Sequence, residues 1–212
     1  MKPLAHSVQP PRVAVWLLNL FTIADEEESI QGDLLEEFSQ IALTSGLRDA
    51  RRWYWQQAIK TIPHLAASGF RAAPLSTIAV VIAGYLLGRF AYGLPDKILM
   101  AATDRYISYW QIHFKMYVFF STDGMLVAHL IASMFVGCVV ALAAKGREMA
   151  ATMMLGLVLG AMGAVGVLWW IAKTGDSSFL WMLGLRCADS FAIVAGGVIV
   201  RMYRPHSTLQ SQ

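Results

Sequence analysis

Between Met149 and Ile171 the chain carries not one charged side chain. Charge is scarce throughout: 15% of the 212 residues are charged and 57% are hydrophobic. A soluble domain averages about 25% and about 45–50%. With a mean hydropathy of +0.52, long charge-free runs exclude an ordinary soluble globule and imply a membrane protein. Cysteine is scarce too. Cys138 and Cys187 both lie in apolar runs without zinc-type spacing, which reads as two small buried hydrophobes rather than a metal site or a disulfide. The sequence has no Gly-rich loop followed by Lys-Ser/Thr, no HExxH and no GxSxG, and its five histidines (6, 64, 113, 129 and 206) are scattered. These absences argue against a nucleotide motor, a zinc protease or a serine hydrolase. The expectation is a non-enzymatic protein with no cofactor and no metal.

What charge there is falls unevenly. Residues 1–73 carry 15 of the 31 charged side chains, so a small polar domain precedes an apolar one at 74–204 and a short tail at 205–212. Arg12–Phe21 has the length of a signal-peptide core, but no Ala-x-Ala site follows it. It reads instead as a short amphipathic helix with Trp16, Leu17, Leu20 and Phe21 on one apolar face. Asp25–Glu28 place negative charge at the start of a second helix, whose face is Ile30, Leu34, Leu35, Phe38 and Ile41/Ala42. Gly32 suggests a bend or a close contact there, and Gly46 a stop. A third helix, Leu47 to Ile62, ends at Pro63. Its run Arg51-Arg52-Trp53-Tyr54-Trp55 combines arginine with aromatics, as nucleic-acid binders do. So close to a membrane span, the same combination reads as an anchor at the lipid headgroups, and no nucleic-acid partner is expected.

The segments Ile30-Gln31-Gly32-Asp33-Leu34-Leu35-Glu36-Glu37-Phe38 and Arg52-Trp53-Tyr54-Trp55-Gln56-Gln57 resemble the second type of permease prefix domain. That module precedes FtsX-like, macrolide-exporter-type ABC permeases in bacteria. The resemblance covers about residues 12–65 and implies a non-catalytic cytoplasmic module attached to a transporter. The rest of the chain departs from the family, being too short for a full permease with a large periplasmic domain.

Four runs are long enough to cross a bilayer: 75–94, 124–144, 149–171 and 179–200. The fold class is therefore an all-α polytopic membrane protein with four transmembrane helices. Residues 95–123 hold Asp96, Lys97, Asp104, Arg105 and Lys115 among many aromatics. They read as one or two amphipathic helices lying on the membrane or covering the bundle. With the N-terminus inside, 11 of the 17 Lys and Arg fall on the cytoplasmic side and 4 outside. That bias predicts both termini in the cytoplasm of a bacterial inner-membrane protein.

Small residues recur at every fourth position of each span: Gly84 and Gly88; Ser133, Gly137 and Ala141; Gly156, Gly160 and Ala164; Gly184, Ala188, Ala192 and Gly196. Such stripes let helix backbones approach, within the monomer or at an interface with a partner or second copy. Gly163 and Gly166 make the third span an interface candidate. Polar groups at membrane depth are candidates for function. Arg89 can snorkel outward, which leaves His129, Arg186 and Asp189 as an intramembrane site, the last two at i,i+3. The leading expectation is an accessory or regulatory subunit of a membrane transport complex, in contact with lipid and with other subunits or a second copy. The alternatives are a small-solute or ion/proton-coupled transporter acting as an oligomer, and a structural subunit of another membrane complex.

Overall fold

The computed structural model describes residues 9–22 and 27–203. Asp25 and Glu26, the side chains of Glu27 and Glu28, Arg204 and the tail lie outside the described residues. The chain divides into two compact units, Met1–Ala73 and Pro74–Gln212.

The first unit is built on α3 (Leu47–Ala72), against which α1 (Arg12–Phe21) and α2 (Glu27–Thr44) both pack. Its core is Ala14, Leu18, Phe38, Ala50, Tyr54, Ala58 and Leu65. The side-chain amide of Gln31 donates to Asn19 Oδ1 at 2.6 Å, joining α1 to α2. Gly46, at φ 95°, supplies the left-handed turn between α2 and α3. Several expectations are corrected. The buried face of α1 is Ala14, Leu18 and Leu20, with Trp16 exposed, because α3 selects the neighbouring stripe. On α2 Leu35 is exposed, and a Cβ at Gly32 would meet nothing within 4 Å. Pro63 does not end α3. Ala50, Tyr54, Ala58 and Leu65 lie on one buried stripe that runs past it, and packing holds the helix despite the missing N–H.

Tyr54 departs most from expectation. It is 2% exposed and meets Phe38 edge-on at 5.8 Å between ring centroids. It is a core residue and no headgroup anchor; Trp53 and Trp55 also pack partly against the core, while Arg51 and Arg52 stay exposed. Burial pushes the Tyr54 phenol above its ordinary value. The folded unit thus holds this proton more tightly than the unfolded chain does. The resulting stability is complete below the ordinary phenol value of about 10 and is lost as pH climbs through the folded value. Alkaline unfolding followed by circular dichroism should begin at higher pH in Tyr54→Phe than in the wild type. Coincident curves would show that this phenol is not what limits the unit.

In the second unit, four helices are long and apolar enough to span a membrane. These are α4 (Pro74–Arg105), the stretch Phe114–Ala143 that contains α7 (Met125–Ala143), α8 (Glu148–Thr174) and α9 (Trp181–Tyr203). Helix α9 packs extensively on both α7 and α8, and α4 lies chiefly against α7. Their alternating directions give the bundle a loop end, holding the α4–α7 connection and residues 175–180. The opposite tail end holds the start of α4, the α7–α8 turn and the end of α9.

Pro95 does not close the first span. Helix α4 runs through it to Arg105, as membrane helices tolerate where neighbours and local adjustment satisfy the freed carbonyl. The expected amphipathic segment 95–123 is therefore shorter. Helices α5 (Ile107–Ile112) and α6 (Phe114–Phe119) and a π-helical turn, Phe120–Gly124, lead into α7. None of them has a buried residue. Instead of covering the bundle, the aromatics stack on one another. Trp110 contacts Tyr117 and Phe120 and donates its indole N–H to the Ala102 carbonyl at 3.2 Å. Cys187 is exposed, against its expected burial.

The small-residue stripes are spent largely inside the unit. A Cβ on Gly137 would collide with the Ile193 carbonyl, and one on Gly196 with the Met134 carbonyl, so α7 and α9 touch backbone to backbone. Gly84 faces Val140 and Leu155, Gly88 has Leu159 nearby, and Gly156 faces the Ser190 carbonyl. Gly184 and Gly166 face open space.

Candidate functional site

Ser133 is fully buried on the α7 face that meets α9. Its Oγ lies 3.0 Å from Asp189 Oδ1, 2.9 Å from the Tyr92 hydroxyl and 2.8 Å from the His129 carbonyl. A serine has one proton to give. Donation to an ionised carboxylate is the stronger choice, and it leaves Tyr92 to donate to Ser133. The result is a directed chain, Tyr92 to Ser133 to Asp189, joining α4, α7 and α9. Oδ2 of Asp189 lies 3.6 Å from Arg186 Nη1, and the two side chains are 13% and 49% exposed. Asp189 is the enclosed partner and Arg186 the open one.

Gly163 leaves room for the arginine, because a Cβ there would come 2.7 Å from Arg186 Cδ. Ser190, one turn beyond Arg186, has its hydroxyl within 2.9 Å of the Gly156 carbonyl. A Cβ on Gly160 would press on that same hydroxyl at 2.7 Å.

The structure brings the predicted trio to one cavity of about 500 Å³, lined among others by His129, Arg186, Asp189, Asp96 and Asp123. Nε2 of His129 is buried without a hydrogen-bond partner among the described residues. The nearest carboxylate, Asp96 Oδ1, is 3.9 Å away, beyond hydrogen-bond reach. A second cavity of about 210 Å³ lies between α4, α8 and α9, lined by Arg89, Arg186 and Asp189 with Tyr85, Tyr92 and Ser190. Arg186 and Asp189 thus form a shared wall. The larger cavity carries an excess of carboxylates, the smaller one an excess of guanidinium.

Asp189 lies about 18 Å along α9 from Arg201, at a rise of about 1.5 Å per residue. At that tail-end level Glu148, 2% exposed, lies 3.6 Å from Arg201 and accepts the Gly146 N–H at 3.0 Å. Beside it Arg147 donates to Ser76 at 3.2 Å. Arg89 is about 20 Å along α4 from Ser76, well inside a hydrocarbon core of about 30 Å. It has no hydrogen-bond or ion-pair partner among the described residues. On insertion scales an arginine at the helix centre costs about 2.5–3.5 kcal/mol.

These features define the class: an all-α, multi-pass integral membrane protein with four helices able to span a bilayer. Comparison with protein-family models, with curated proteins and with solved structures returns no match for the chain.

Sequence reasoning placed His129, Arg186 and Asp189 at one depth, and they do line one cavity. It missed Tyr92 and Asp96, treated Ser133 only as a small packing residue and dismissed Arg89. Helical phase could have exposed Arg89, since it follows Tyr85 by four residues and precedes Tyr92 by three. Nothing local marked Glu148, which reads as one more charge in a polar turn.

Proposed function

We propose that the protein is a non-enzymatic accessory or regulatory subunit of a transport complex in the bacterial inner membrane, with both termini cytoplasmic. One observation carries this reading above a free-standing carrier. Both cavities that reach Arg186 and Asp189 lie toward the loop end. A cavity of about 220 Å³ at the tail end, lined by Ser76, Thr77, Lys145 and Arg147 among others, shares no residue with them, and between lie the backbone contacts at Gly137 and Gly196 and the buried Glu148–Arg201 pair. A carrier must open its site to both sides in turn; a subunit that reads a ligand on one side need not. The resemblance of residues 12–65 to a permease prefix agrees with it, and exposed Asp33, Glu36 and Glu37 on α2 offer a face to a basic partner. Affinity purification in mild detergent, with mass spectrometry of the co-purifying chains, should recover a transporter subunit. Recovery of a lone monomer would end the proposal.

A second reading, an ion- or proton-coupled carrier, is favoured by the cavity that reaches Asp189. In proteoliposomes containing this chain alone, Asp189→Asn should then reduce proton or sodium uptake to the empty-vesicle rate. Wild-type protein that moves neither ion would remove the carrier reading. Under the accessory reading, Asp189→Asn still co-purifies with the partner.

A further inference from the structure

We infer that the cavity between α4, α8 and α9 binds the anionic group of an amphiphile, a phosphate or carboxylate held between Arg89 and Arg186. This goes beyond a role in a complex, and it stands on the cavity itself. Two guanidinium groups and one carboxylate, Asp189, line it, leaving one positive charge unmatched. Asp189 is already engaged by Ser133 and faces Arg186, so it does not neutralise Arg89. Arg89 has no acceptor among the described residues, although a guanidinium presents five donors in a planar fork suited to phosphate or carboxylate. The phenol of Tyr85, on the same wall, adds a neutral donor. At membrane depth such an arrangement calls for a counter-charge, and none of the described residues supplies it.

The shape fixes the rest of the ligand. A groove of about 360 Å³ adjoins this cavity, sharing Met162, Gly163 and Arg186 with it, and continues along α8 and α9 past Gly166 to Trp170 and Phe179. A Cβ on Gly166 would meet nothing within 4 Å, so the groove is open there. An anion bound at the arginines would therefore carry an apolar portion alongside α8. An acidic membrane lipid and a soluble amphiphilic anion share this chemistry.

The test uses the purified full chain in a neutral maltoside detergent and reads the thermal unfolding midpoint. Phosphatidylglycerol, phosphatidylcholine, decanoate and inorganic phosphate are titrated separately. Phosphatidylglycerol should raise the midpoint saturably and phosphatidylcholine should not. Arg89→Gln should need at least about tenfold more of the anion for the same shift, and Arg89→Lys, which keeps the charge but not the fork, should fall between Arg89→Gln and the wild type. Decanoate acting at concentrations where phosphatidylglycerol does nothing would assign a soluble ligand; the reverse would assign a lipid. Inorganic phosphate should act weakly at best, and protection by it equal to that of either amphiphile would overturn the apolar part of the proposal. Equal responses to the two phospholipids with none to decanoate, or an Arg89→Gln variant that responds like the wild type, would overturn the site. Arg186→Gln also unpairs Asp189 and can unfold the bundle, so Arg89, exposed and unpaired, carries the test.

Discussion

Replacing Glu148 with alanine should destabilise the membrane unit by about 3–5 kcal/mol, the usual cost of stripping one partner from a buried ion pair. The carboxylate is 2% exposed, Arg201 is 18% exposed, and their charged atoms are 3.6 Å apart. Removing it takes a buried carboxylate from beside Arg201 and the acceptor from the Gly146 N–H. That N–H sits in a tight turn with φ 80° at Gly146, so the α7–α8 connection should loosen together with the end of α9. Glu148→Gln should lose less, because an amide oxygen still accepts from Gly146. Exchanging the two residues, Glu148→Arg with Arg201→Glu, should recover part of the loss if the pair matters as a pair. Thermal unfolding in detergent measures all three. An alanine variant as stable as the wild type would mean that the pair contributes nothing net.

The second large effect is expected at Gly137. A methyl group there lands on the Ile193 carbonyl and its neighbouring backbone atoms, which cannot turn aside as a flexible side chain can. Overpacking of a tight core typically costs about 1–3 kcal/mol, and contact with backbone places Gly137→Ala at or above the top of that range. Moving α9 away would also lengthen the Ser133–Asp189 hydrogen bond one turn distant. Gly184→Ala is the matched control. It lies on α9, the helix that Gly137 of α7 packs against, but its added methyl meets nothing within 4 Å, and alanine favours a helix by about 0.5–1 kcal/mol over glycine. Unfolding midpoints should fall sharply for the first and hold or rise for the second. Equal effects at the two positions would refute close α7–α9 packing. A lower midpoint at Gly184 alone would point to a partner surface there.

What could be read from the sequence was what local pattern encodes. Long apolar runs marked the four spans, Gly46 marked a stop, and i,i+3 spacing joined Arg186 to Asp189. Errors arose where a distant element decides the outcome. Pro63 and Pro95 look like terminators because a missing N–H is a local fact, whereas the stripe that carries α3 past Pro63 is visible only once α1 and α2 are docked. Tyr54 sits in a run that suits the headgroup region, and only Phe38 across the core reveals that its ring points inward. Glu148 and Arg201 meet because the bundle's topology returns α9 to the start of α8. The same holds for Arg89, whose proximity to Arg186 depends on how α4 and α9 are aligned.

Backbone contact between α7 and α9 has a consequence for how the protein is made. Helix α7 leaves the ribosome well before α9, yet Ser133, Gly137 and Cys138 all find their partners on the later helix, at Asp189, Ile193 and Gly196. Until α9 is released into the bilayer, α7 can lean on α4 but displays a polar, glycine-notched flank to lipid or to the insertion machinery. Closure of the bundle thus waits on its final described helix. During that interval the flank of α7 that carries Ser133, Gly137 and Cys138 is a surface that disappears once α9 packs against it.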